Sequence, residues 1–175
     1  MGSASACDLS SVLYSLPVWK SITVGVPMNP DVWQNNSRVG TWSRDVLERV
    51  VPSPNLLQLD LVIAPPLLFG FDMGGSYGKL REIIRAYDFT LCPADTGYAL
   101  VQEEDYKDKP DGLLHILSES IPDSDGEECI FTISLEGGKT VLRATRADSE
   151  RVLGASSQMI LVKNERVLDS RFSVH

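Results

Sequence analysis

Two groups of residues in this chain carry atoms that could do chemistry. The first is Cys92, which precedes Pro93 at the expected N-terminus of a helix. At such a position the aligned peptide dipoles lower a thiol pKa and favour a thiolate nucleophile. A thiol hydrolase also needs an imidazole to take up the proton. His175 is the last residue and His115 falls in an expected strand, so His115 is the base such a site would use. The competing reading makes Cys92 a small buried residue beneath the helix. It makes His115 a sheet histidine, since no second histidine lies at metal-ligand spacing.

The second group is Asp123, Asp125, Glu127 and Glu128, crowded around Gly126 in the segment 121–131. Carboxylates this close could hold a cation, with Asp123 and Asp125 as first ligands. A helix–loop–helix calcium loop, however, fixes its oxygens at set positions around one glycine. With Gly126 at that glycine, Ile121 and Thr132 fall where carboxylates are required; with Asp123 first, Glu128 falls on the glycine. Asp at the first and Gly at the fourth position instead suit a type I turn, so a hairpin turn is the favoured reading. The glycine-rich run 70–78 precedes a helix but lacks the Gly-Lys-Ser/Thr ending of a phosphate cradle, and reads as a plain connection.

The elements that must position these residues follow from periodicity. Leu9, Val12, Leu13 and Leu16 have helical spacing behind Asp8, and Pro17 ends the segment. Val18 to Val24 alternates as a strand, and short helices follow at Trp33 and at Arg44–Val50 behind Ser43. Pro52 and Pro54 mark a linker. Leu57, Leu59, Leu61 and Ile63 predict a strand, and Ser76 caps the strongest helix, Tyr77–Tyr87. A further helix follows Pro93, weakened by Gly97. From Gly112 onward the pattern is antiparallel: Leu113–Ile121, Cys129–Leu135, a tight turn at Gly137-Gly138, Val141–Thr145 and Gln158–Lys163.

This pattern predicts an α+β fold: an antiparallel sheet of about five strands with two or three helices on one face. The expected organisation is a small helix/strand lobe at 1–51 packed on a main domain at 56–175. The 175 residues are 43% hydrophobic and 23% charged, as in an ordinary globular protein. A formal charge of −8 opposes a role in neutralising phosphates, so no nucleic-acid partner is expected. No apolar run reaches the roughly 20 residues of a spanning helix, so no membrane partner is expected either. Cys7, Cys92 and Cys129 form an odd set without C-x-x-C spacing, which fits reduced thiols in the cytoplasm.

Three segments carry a resemblance: Leu91-Cys-Pro-Ala-Asp-Thr-Gly97, Tyr106-Lys-Asp-Lys-Pro110 and Ile121-Pro-Asp-Ser-Asp-Gly126. In this order they resemble the L-C-P-A-[ED]-x-G, Y-x-D-x-P and I-[TP]-D-S-D-G segments of a family of uncharacterised bacterial proteins. Upstream, Trp19-Lys-Ser-Ile22, Gly40-Thr-Trp42 through Leu47, and Leu59-Asp-Leu-Val62 look like further segments of that family. The resemblance spans about residues 19–163. Tyr98 stands where the family usually carries proline, and Leu113-Leu114 where it carries Glu-Trp. The resemblance implies a bacterial cytoplasmic α+β module and transfers no activity, cofactor or catalytic residue.

The expected function is a non-enzymatic binding or accessory module for a protein partner, with no cofactor. Its contact surface would be Leu67, Leu68, Phe69 and Phe71, an apolar stretch that marks an interface where exposed. The alternatives are a small hydrolase using Cys92 and His115 or a cation at Asp123–Asp125, and an acidic immunity- or antitoxin-like protein that neutralises a basic partner.

Overall fold

Residues i and i+2 of a strand share a face, and that rule organises this molecule. The computed structural model describes residues 11–103 and 112–168. In β2 (Leu57–Ala64), Leu57, Leu59 and Leu61 enter one core, whereas Val62 and Ala64 enter a second. The same division runs through the long strands. Ile160 and Val162 of β9 (Gln158–Val167) join the first core; Met159 and Leu161 join the second. In β6 (Glu128–Glu136), Cys129, Phe131 and Ile133 face the first core and Ile130 the second. The central strands are therefore buried on both faces.

These strands belong to one seven-stranded sheet, curled into a half-barrel. β1 (Lys20–Val24) pairs antiparallel with β2, and β2 with β9. β9 then runs parallel to β4 (Leu114–Ile116), which is antiparallel to β6. β7 (Lys139–Arg146) pairs with β6 along its length, so β4 and β5 (Ile121–Pro122) share the other edge of β6. A separate two-stranded ribbon joins β3 (Gly75–Ser76) to β8 (Val152–Leu153).

Helices cover both faces. α1 (Asp31–Gln34), α2 (Thr41–Leu47) and α4 (Thr96–Gln102) supply Trp33, Val46, Leu47, Tyr98 and Leu100 to the first core. α3 (Tyr77–Ala86) supplies Tyr77, Leu80 and Ile84 to the second, joined by Phe69 of a 3-10 turn (Pro66–Phe69) and by Leu13. The expected α3 is present, with Ser76 Oγ accepting the Lys79 amide at 3.4 Å as its cap.

The expected five-stranded antiparallel sheet with helices on one face is thus overturned. The sheet has seven strands, one adjacent pair is parallel, and helices pack on both sides. Part of the cause lies at residues 117–118, where one long strand was expected. The Leu117 carbonyl accepts the Cys92 amide at 2.8 Å and the Leu117 amide donates to Ile160 at 3.2 Å. The chain turns away from β6 there, which splits the segment into β4 and β5. The described part of the lobe expected at 1–51 packs on the rest: β1 is a strand of the main sheet, and Trp33, Val46 and Leu47 help to build its first core. No helix among the described residues is long and apolar enough to cross a membrane.

Candidate functional site

Cys92 lies four residues ahead of α4, not at its first turn. It is 3% exposed in the first core, and its thiol donates to the Ile160 carbonyl at 3.3 Å. Burial raises its pKa far above the ordinary thiol value, so the sulfur stays protonated. His115 sits on β4 between Leu114 and Ile116, which face the first core, so its ring turns to the second face. There Nδ1 lies 3.4 Å from the Tyr77 hydroxyl, and burial lowers its pKa and keeps the imidazole neutral. The sheet therefore stands between Cys92 and His115. The fold does not bring this thiol and this imidazole together.

Asp123 is brought into a constellation of a different kind. It is 8% exposed and closes the turn between β5 and β6, its carbonyl accepting the Gly126 amide at 3.1 Å. Its Oδ1 accepts the amides of Asp125 at 2.9 Å and Glu127 at 2.8 Å. Its Oδ2 accepts Trp42 Nε1 at 2.9 Å. Burial pushes this carboxyl upward, but the Glu127 amide, the Trp42 indole and the Asp125 amide outweigh it and hold the pKa below the usual value. Asp125 is exposed at the tip. The described residues hold no group of three or more His, Cys, Asp or Glu arranged for a metal.

Around that turn the surface is acidic with one aromatic ring in it. Trp42 is 36% exposed, and Asp45 of the same helix accepts the Ser124 amide at 2.8 Å. Asp125 and Glu127 are exposed alongside, whereas Glu128 shares the Ile130 face of β6 and lies near Arg81 on the other side of the sheet. Arg49 approaches Asp45, and Arg146 approaches Glu127, each at 3.6 Å, but both are half-exposed and weakly paired. The surplus negative charge is felt inside: burial, then Asp123, Glu127 and Asp45, push the Cys129 thiol up to about 11 against the opposing Arg146.

The expected contact stretch is largely turned inward. Phe69 is 5% exposed, Leu68 and Phe71 are partly buried against the second core, and only Leu67 is exposed, at 48%. Phe71 lies so close to Gly75 that a Cβ there would meet its ring at 2.7 Å. The apolar surface on this side comes instead from Leu67, Met73 and Val152.

Sequence reasoning missed several polar ties between segments. Asp95, 2% exposed, accepts the Gly25 amide at 2.8 Å, the Ser53 amide at 3.1 Å and the Ser53 hydroxyl at 2.8 Å. Ser21 Oγ of the edge strand β1 donates to Asp60 of β2 at 2.7 Å. Arg81, 7% exposed, donates Nε to the Ser118 carbonyl and Nη2 to that of Ala147. The available signal was composition: an acid inside an apolar strand or beside a proline-rich linker needs a partner. Residues of the quoted segments thus meet one another, Ser21 with Asp60 and Trp42 with Asp123; Tyr106–Pro110 lies outside the described residues. No family model, curated protein or solved structure matches the chain.

Proposed function

We propose that the protein is a non-enzymatic binding module whose acidic, Trp42-centred face engages a basic protein partner in the bacterial cytoplasm. The observation that carries this reading is Trp42, 36% exposed and fixed by Asp123 within a surface where carboxylates outnumber the two arginines paired with them. An indole of this kind is the side chain most often central to a protein interface, and its electron-rich face attracts lysine and arginine. Excess negative charge on the rim would steer a basic surface toward it and exclude an acidic one. The formal charge of −8 acts in the same direction over longer range.

The reading gives the turn residues two separate jobs. Asp123 holds the turn, whereas Asp125 and Glu127 present charge. Charge reversal at the latter should leave folding intact and abolish binding. The test is a photo-crosslinker at Ser124 in living bacteria, with captured proteins identified by mass. A basic partner whose capture falls with added salt, and is lost in Asp125→Lys with Glu127→Lys, supports the reading. A captured partner that is acidic, or insensitive to salt and to both reversals, defeats it. So does a crosslinker that captures nothing across growth conditions.

A further inference from the structure

At the opposite end of the sheet, strand register builds a grid of polar side chains. Ser21, Asp60 and Asn164 stand in one cross-strand row, and Thr23, Gln58 and Arg166 in the next. All six lie on the face turned away from Ile22, Leu57 and Leu59 of the first core. The second core covers that face at Val62, Ala64, Met159 and Leu161 and stops there. Beyond it the face is open, with Ser21, Thr23, Asn164 and Arg166 exposed.

Two features separate this grid from an ordinary wetted sheet surface. Asp and Asn are among the poorest strand residues, yet Asp60 and Asn164 face each other in the interior of the sheet. Beside them the register shifts between Asp60 and Leu61, a bulge of the kind that re-aims side chains at binding sites. Local rules broken together mark functional positions more often than chance positions. The Asp60 side chain is 13% exposed and fixed: Ser21 Oγ donates to Oδ1 at 2.7 Å and Asn164 Nδ2 to Oδ2 at 3.3 Å. Arg166 stands 3.7 Å from Oδ2, with its guanidinium mostly in solvent. Lys163 Nζ is committed to the Leu16 carbonyl at 2.7 Å and makes a wall. The result is an open cleft of about 430 Å³ lined by Asp60, Lys163, Asn164, Glu165 and Arg166.

We propose that this cleft binds a neutral polyhydroxyl ligand, a sugar or polyol, through Asp60, Asn164 and Arg166. The two acids and two bases of the lining cancel, which disfavours both a polyanion and a polycation. Carboxylate, carboxamide and guanidinium are planar groups that can each engage two neighbouring hydroxyls, and their donors and acceptors complement those of a vicinal diol. Fixing Asp60 by Ser21 and Asn164 reduces the entropy lost when the ligand binds.

The experiment is a titration of the whole isotope-labelled chain with glucose, glycerol, lysine and inorganic phosphate, followed by amide chemical shifts. Glucose should move the backbone amides of Gln58, Asp60 and Asn164 and the side-chain amides of Gln58 and Asn164 saturably in the millimolar range. Asn164→Ala and Arg166→Ala, both at exposed positions, should each weaken the effect about tenfold or more while the melting temperature stays close to wild type. Glucose alone identifies a sugar; glycerol matching it identifies a diol site without ring selectivity. Shifts elsewhere, none with either polyol, a stronger response to phosphate or lysine, or full binding by both variants would each overturn the proposal.

Discussion

The Asp123 carboxylate accepts three hydrogen bonds inside the molecule, from Trp42 Nε1 and from the amides of Asp125 and Glu127. Its pKa is held below the unfolded value, so its contribution to stability is present above the unfolded pKa and is lost as pH falls through the native one. Replacing it by Asn keeps the shape, removes the charge and turns one acceptor oxygen into an NH2 that faces a donor. Asp123→Asn should lower the melting temperature near neutral pH by roughly 2–6 °C. The gap from wild type should begin to close below about pH 4, where the unfolded carboxyl protonates, and vanish at lower pH. A gap that stays constant down to pH 2 would place the effect in the lost acceptor and not in the charge. The turn itself was legible in the sequence, because Asp123 and Gly126 act on their own backbone. The Trp42 bond was not, because it joins residues separated by 81 positions and has no local signature.

At the scale of elements, α4 rests on the sheet at a point where no side chain fits. A Cβ on Gly97 would stand 2.9 Å from Phe131 Cδ2 and 3.0 Å from Cγ, and Phe131 is 1% exposed with no room to retreat. Composition makes Gly97 a weakness in a helix; in the fold it is the contact that lets the helix approach β6. Gly97→Ala gains about 1 kcal/mol of helix propensity and still should lose about 1–3 kcal/mol overall, since overpacking a rigid core outweighs propensity. Urea unfolding would show this as a lower midpoint with an unchanged slope. A stabilised Gly97→Ala protein would mean that α4 stands farther from β6 than described. Asp95, two residues earlier, fixes the same helix to Gly25 and Ser53, so α4 is held by one apolar contact and one buried acid. The elements legible in advance were those set by local physics: the Ser76 cap, the alternation of β2, and the glycine turn between β6 and β7. The parallel neighbours β4 and β9, and the insertion of residues 90–92 beside them, arise from pairing between distant segments and leave no periodicity to read.

For the whole molecule, the two cores share β2, β6 and β9, so neither can dissolve while the other keeps its sheet. The N-terminal quarter is part of that unit, because β1 pairs with β2 along five residues and Trp33 is 3% exposed beneath α4. The sequence supplies its own probe of this coupling. Trp19, Trp33 and Trp42 are the only tryptophans in the chain, and all three lie before residue 51. Tryptophan fluorescence therefore reports the N-terminal quarter, whereas far-ultraviolet circular dichroism reports the sheet as a whole. In urea the two signals should trace one curve with one midpoint and one slope, the mark of a cooperative transition. Isoleucine-to-valine at Ile160, a first-core residue of β9, should shift both curves together by an amount equivalent to about 0.5–1.5 kcal/mol. Fluorescence that changes at lower urea than the dichroism would show residues 1–51 opening as a lobe of their own. The acidic Trp42 face would then belong to a unit that can open while the sheet remains. Coincident curves tie that face to the stability of the entire sheet.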